Sequence, residues 1–125
     1  MKIILTNGTE LNPLVVTGGS RYVNGASRDC LNFIFDENTS MDEMDSIFNE
    51  ENCETIIIEG DDGSRAIYRE YVVKAEIKQS FEPISKETPD AQEQTVKRIT
   101  VSMAQRSFME KQMKQMEARL AALEA

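Results

Sequence analysis

Tyr71-Val72-Val73-Lys74-Ala75-Glu76-Ile77-Lys78 alternates apolar and charged side chains with a period of two. That is the pattern of a strand with one face in a core and the other in water. It predicts Tyr71, Val73, Ala75 and Ile77 inward and Lys74, Glu76 and Lys78 outward. Similar runs lie on both sides. Residues 2–6 and 11–16 are β-rich and are separated by Asn7-Gly8, a pair that tolerates positive φ and favours a hairpin. Gly18-Gly19-Ser20 reads as a turn, Arg21-Tyr22-Val23 resumes the strand pattern, and Asn24-Gly25 signals a reversal before Cys30–Phe35. In that run Leu31, Phe33 and Phe35 share one face. Thr55-Ile56-Ile57-Ile58 is apolar on both faces and predicts a central strand, followed by a turn at Asp61-Asp62-Gly63-Ser64 into Arg65–Tyr68. Val96–Met103 alternates again, with Ile99, Val101 and Met103 together.

Two segments switch to helical signals. Ser40-Met41-Asp42-Glu43 is a capping box, in which the Ser40 hydroxyl accepts from the backbone N–H of Glu43. It opens a short helix near 40–49 whose stripe of Met41, Met44, Ile47 and Phe48 covers one side of a sheet. Residues 82–94, with Pro83 and Pro89, predict a mobile loop. From Ala104 onward the propensities are helical. The expected fold is therefore α+β: a small, mostly antiparallel β domain over 1–103 with one inserted helix, then a C-terminal coiled-coil-like helix over 104–125.

Composition narrows the function. The 125 residues hold 22 acidic and 14 basic side chains, for a net charge of −8. Such a balance disfavours a phosphate-backbone partner, because counterion release rewards clustered Lys and Arg. There is no histidine, so a His-assisted base, a Cys–His nucleophile and a typical zinc site are missing. Cys30 and Cys53 read as buried small residues in a reducing compartment. The opening apolar run is too short for a signal peptide or a membrane span, which predicts synthesis in the cytoplasm.

Other constellations have plain readings. Gly18-Gly19-Ser20 lacks the Lys and following helix of a phosphate cradle. Asp36, Glu37, Asp42, Glu43 and Asp45 lack the spacing of a calcium loop and serve capping and solvation. Asp61 and Asp62, on a hairpin tip, have no enclosed setting to separate their pKa values as an acid–base pair would need. Tyr22, Tyr68 and Tyr71 are either strand packing or a contact patch. No spacing proposes an active site, metal or cofactor.

The strongest clue concerns assembly. Met109, Met113, Met116, Leu120 and Leu123 recur at intervals of four, three, four and three, the a/d seam of a coiled coil. Arg119 then falls at g and Glu124 at the following e, positions that join neighbouring chains in a parallel arrangement. Glu110 and Lys114 form an i,i+4 pair suited to a solvated face. The seam predicts a homo-oligomer, a trimer or a dimer. The competing arrangement folds the stripe back on the chain's own sheet.

Residues 11–23 (Leu-Asn-Pro-Leu-Val-Val-Thr-Gly-Gly-Ser-Arg-Tyr-Val), 51–54 (Glu-Asn-Cys-Glu) and 99–106 (Ile-Thr-Val-Ser-Met-Ala-Gln-Arg) resemble a group of small phage and prophage proteins of Gram-positive bacteria. The resemblance spans most of 1–108, and the segment after Phe108 departs from it. It implies a viral setting, with other phage structural proteins as partners and a place in the virion or tail module, and no catalytic residue. The expected function is a non-enzymatic structural or assembly protein. The alternative is an acidic, nucleic-acid-mimicking inhibitor of a host defence protein.

Overall fold

The structure is a computed structural model that describes residues 1–84 and 94–124, excluding the side chains of Ile84, Gln94 and Glu124. The chain runs β1 (Lys2–Ile4), β2 (Glu10–Leu11), β3 (Val15–Val23), β4 (Ala26–Phe35), α1 (Met41–Ile47), β5 (Thr55–Glu59), β6 (Arg65–Arg69), β7 (Val73–Ile84), β8 (Gln94–Ala104) and α2 (Phe108–Glu124). These form two four-stranded antiparallel sheets, ordered β2-β1-β5-β6 and β3-β4-β8-β7, plus two helices. The α+β architecture is the expected one.

The period-two runs bury the expected faces. Leu31, Phe33 and Phe35 of β4 and Ile99, Val101 and Met103 of β8 meet Ile3 and Ile56 of the other sheet in one core. Met44 of α1 and Phe48, which caps its C-terminal end, close it, with the Phe48 ring centroid 5.4 Å from Phe33 and 6.1 Å from Phe35. Ser40 caps this helix as its sequence predicts, accepting from the Glu43 amide at 3.4 Å. Helix α1 ends earlier than expected, at Ile47, and Met41 stays exposed. The Asn24-Gly25 reversal has φ of 48° and 80°, the positive pair that a twisted two-residue hairpin requires.

Five further expectations are corrected. The run 11–16 splits because Pro13, which has no N–H to give a ladder, is buried between β2 and β3. Gly18-Gly19-Ser20 is not a turn: β3 passes straight through it, with Gly18 opposite Leu31 and Gly19 opposite Cys30. The alternation from Tyr71 is interrupted by a β-bulge between Lys74 and Glu76. Ahead of the bulge Lys74 lies opposite core-facing Met103 and Val73 opposite Ala104, so their two faces are exchanged. Lys74 meets α1 on that side, its ammonium 2.6 Å from the Asp45 carboxylate, while Val72 and Ile77 pack on the core. Finally, residues 82–84 and 94 of the expected loop belong to β7 and β8, and 85–93 lie outside the described residues. At the other end β8 continues through Ala104 and α2 begins at Phe108.

Candidate functional site: the C-terminal helix and its base

Helix α2 starts on a second capping box. The Glu110 amide donates to the Ser107 hydroxyl at 3.3 Å, and the Glu110 carboxylate accepts from the Ser107 amide at 2.8 Å. Glu110 also pairs with Arg28, whose side chain is only 2% exposed. The Arg28 guanidinium donates besides to the carbonyls of Val23 (2.7 Å), Gln105 (3.2 Å) and Asn24 (3.4 Å). One buried cation thus joins the β3–β4 turn, the strand-to-helix linker and the first turn of α2. The Arg28 hydrogen bond, then the Ser107 amide, holds the Glu110 carboxyl down to about 2.

The linker is fixed as firmly on its other side. Arg106 forms a two-pronged contact with Glu54 and also reaches Glu50 (3.1 Å) and Glu70 (3.4 Å). Its hydrogen bond holds the Glu54 carboxyl below the usual carboxylate range. The Arg106 amide donates to the Glu70 carbonyl at 2.9 Å. Glu70 sits at φ 67°, a left-handed conformation that costs a residue with a Cβ about 1–2 kcal/mol. Its amide, carbonyl and carboxylate are all engaged, by the Glu54 carbonyl and by Arg106. Gln105 completes the fixture, its amide on the Asp29 carbonyl at 2.8 Å and its side chain on the Arg69 carbonyl at 3.0 Å.

Beyond Lys111 every described residue of α2 is exposed. Met109, Met113, Met116, Leu120 and Leu123 are 72, 59, 59, 57 and 82% exposed. At 100° per residue these five fall within an arc of about 80°. Glu110 and Lys114, which face the β domain, lie about 100–140° around the helix from the centre of that arc. The stripe therefore points away from its own sheets, and the folded-back arrangement is not the one adopted. Arg119 is exposed beside it, and the Glu124 side chain lies outside the described residues.

The remaining candidate groups take structural parts. Cys30 and Cys53 are free and buried, and burial pushes the Cys53 thiol up to about 12. Asp62 accepts from the Ser64 amide and hydroxyl, closing the turn. Glu37 pairs with Arg98 and Asp45 with Lys74. Among the described residues no cluster of carboxylates or thiols could hold a metal ion, and no helix is long and apolar enough to cross a membrane. Tyr68 and Tyr71 pack edge to face, whereas Tyr22 is 78% exposed. An open groove of about 600 Å³, lined by Asn49, Glu50, Glu51, Glu54 and Lys114, separates the α1–β5 turn from α2. Two of its carboxylates, Glu50 and Glu54, are those that hold Arg106.

The buried arginines and the Ser107 cap escape a reading of the sequence by periodicity. Ser107-Phe108-Met109-Glu110 does carry the same signature as the box at Ser40 and marks the true helix start. Arg28 carries no such signal, because its carboxylate partner is 82 positions away. Comparison with protein-family models, curated proteins and solved structures finds no match for this chain.

Proposed function

We propose that this is a non-enzymatic structural or assembly protein that oligomerises through α2, as a dimer or trimer, and presents its β domain to another component of a larger particle. The observation that carries the reading is the five-residue Met–Leu stripe, exposed along a helix whose base is tied to both sheets. An apolar row of that length in water is stabilised by burial against copies of itself. The helix is also charge-balanced, with Lys111, Lys114 and Arg119 set against Glu110, Glu117 and Glu124, so the helices themselves bring no net like charge to their contact. A phage virion or tail suits such a protein, since these particles reuse symmetric contacts, and the sequence resemblance points to that setting.

The test is the solution mass. Multi-angle light scattering of the native chain is expected to give two or three times 14.2 kDa. Met116→Glu places a carboxylate at the middle of the seam and forfeits about 1–2 kcal/mol of burial per chain before any charge penalty. It is expected to lower the mass, and an unchanged mass sinks the reading. Mass spectrometry of purified particles tests the setting.

A further inference from the structure

We infer that the outer edge of β3, which pairs with no strand but β4 among the described residues, is a second self-association surface, on which β3 of another copy pairs antiparallel about Gly19 and joins the two β3-β4-β8-β7 sheets into one. This surface is separate from α2 and does not depend on the reading proposed for it.

Unpaired edges invite strand addition, and proteins blunt them with short strands, charges, proline and bulges. Three of the four edges here are blunted in these ways. Strand β2 has two residues, and β6 has five with Arg65 and Arg69 at its ends. Strand β7 carries a bulge, Lys74, Glu76, Lys78 and Glu82, and a proline at 83. Strand β3 carries only one of these devices: it has nine residues, no proline and a single charge at Arg21, which pairs across its own sheet with Glu76 at 2.8 Å. Its exposed apolar side chains stand near the two ends, Val15 at 44% and Tyr22 at 78%.

The direction of the free backbone groups fixes the pairing. Gln105 donates to the Asp29 carbonyl at 2.8 Å, so Asp29 turns its backbone groups toward β8. Ser20, opposite Asp29, therefore points its own amide and carbonyl out of the sheet, and by alternation so do Val16, Gly18 and Tyr22. A two-fold pairing must match residues of the same face. Centred on Gly19, it sets Gly18 against Ser20, Thr17 against Arg21, Val16 against Tyr22 and Val15 against Val23 of the second copy. Apolar residues then meet apolar or aromatic ones, and Arg21, which pairs with Glu76 of its own chain at 2.8 Å, lies opposite Thr17, whose hydroxyl accepts from Asn32 at 3.3 Å. A Cβ at Gly19 would find nothing within 4 Å, so the chain's own packing does not call for glycine at the symmetry centre.

The register gives an experiment of opposite signs, carried out in the full-length chain bearing Met116→Glu so that α2 does not contribute. Sedimentation equilibrium is expected to show a reversible monomer–dimer equilibrium. Adding Thr17→Lys sets two cations against Arg21 of the opposing copies and weakens the dimer, whereas Thr17→Glu creates two ion pairs and tightens it. Each change is about two- to thirty-fold, because every dimer contains the contact twice. Amide exchange at Val16, Gly18, Ser20 and Tyr22 should slow as concentration rises. The inference is overturned if the Met116→Glu chain stays monomeric at about 1 mM, the weak end of specific association. It is equally overturned if the two Thr17 substitutions shift the equilibrium alike or not at all. Neither result alters the mass test on α2.

Discussion

Replacing Glu110 by Gln removes the carboxylate that pairs with Arg28 while keeping an oxygen for the Ser107 amide. In the native protein the Glu110 carboxyl falls from 4.5 to about 2, chiefly through the Arg28 hydrogen bond. For an enclosed group a shift of that size corresponds to about 3 kcal/mol. The Glu110 side chain is 43% exposed, so screening by water reduces this to about 1–2 kcal/mol. Because the folded-state value is depressed, the stabilisation is complete above about 4.5 and is lost as pH falls toward about 2. Urea unfolding followed by circular dichroism should therefore find Glu110→Gln less stable by about 1–2 kcal/mol at pH 7. That gap should shrink steadily below pH 4.5. Glu110→Ala, which also loses the cap, should cost about 0.5–1 kcal/mol more. Equal stability of native and Gln chains at pH 7, or a gap that persists at pH 2, would refute the idea that this ion pair secures the helix base.

Arg106→Ala leaves Glu50, Glu54 and Glu70 facing one another around a vacated site. A loss of about 2–4 kcal/mol is expected from the urea midpoint, and Arg106→Lys, which keeps the charge without the fork, should lie between. A loss too small to resolve would show that the Arg106 ion pairs add nothing to the hold of Arg28, Gln105 and the backbone contacts on the linker. Because burial raises both cysteine thiols, a disulfide reagent at pH 8 should label the folded protein slowly and both sites at once after urea unfolding. Rapid labelling of either thiol in the native chain would contradict the packing around it.

The alternating runs made the sheets legible, because half-buried antiparallel strands must repeat every two residues. Asn24-Gly25, Asp61–Ser64 and the box at Ser40 were legible for the same kind of reason, since each encodes a local backbone geometry. What escaped depends on distant partners. The Gly18-Gly19 pair reads as a break until Leu31 and Cys30 are known to lie opposite it. The bulge at Ala75 leaves the alternation intact on paper yet turns Lys74 toward Asp45. The Met–Leu spacing defined a stripe, and only the geometry of residues 105–107 decides that it points outward. The contribution of Arg28 and Arg106 was invisible, because a lone arginine in a sequence carries no sign of burial.

Gln105 fastens its amide to β4 and its side chain to the end of β6, which belong to different sheets. A pull along α2 is consequently divided between both layers of the β domain instead of peeling one strand away. If the helix is the handle by which subunits grip each other, traction in the assembled particle passes into the whole domain at once, and the handle should slip from its neighbours before the domain that carries it comes apart.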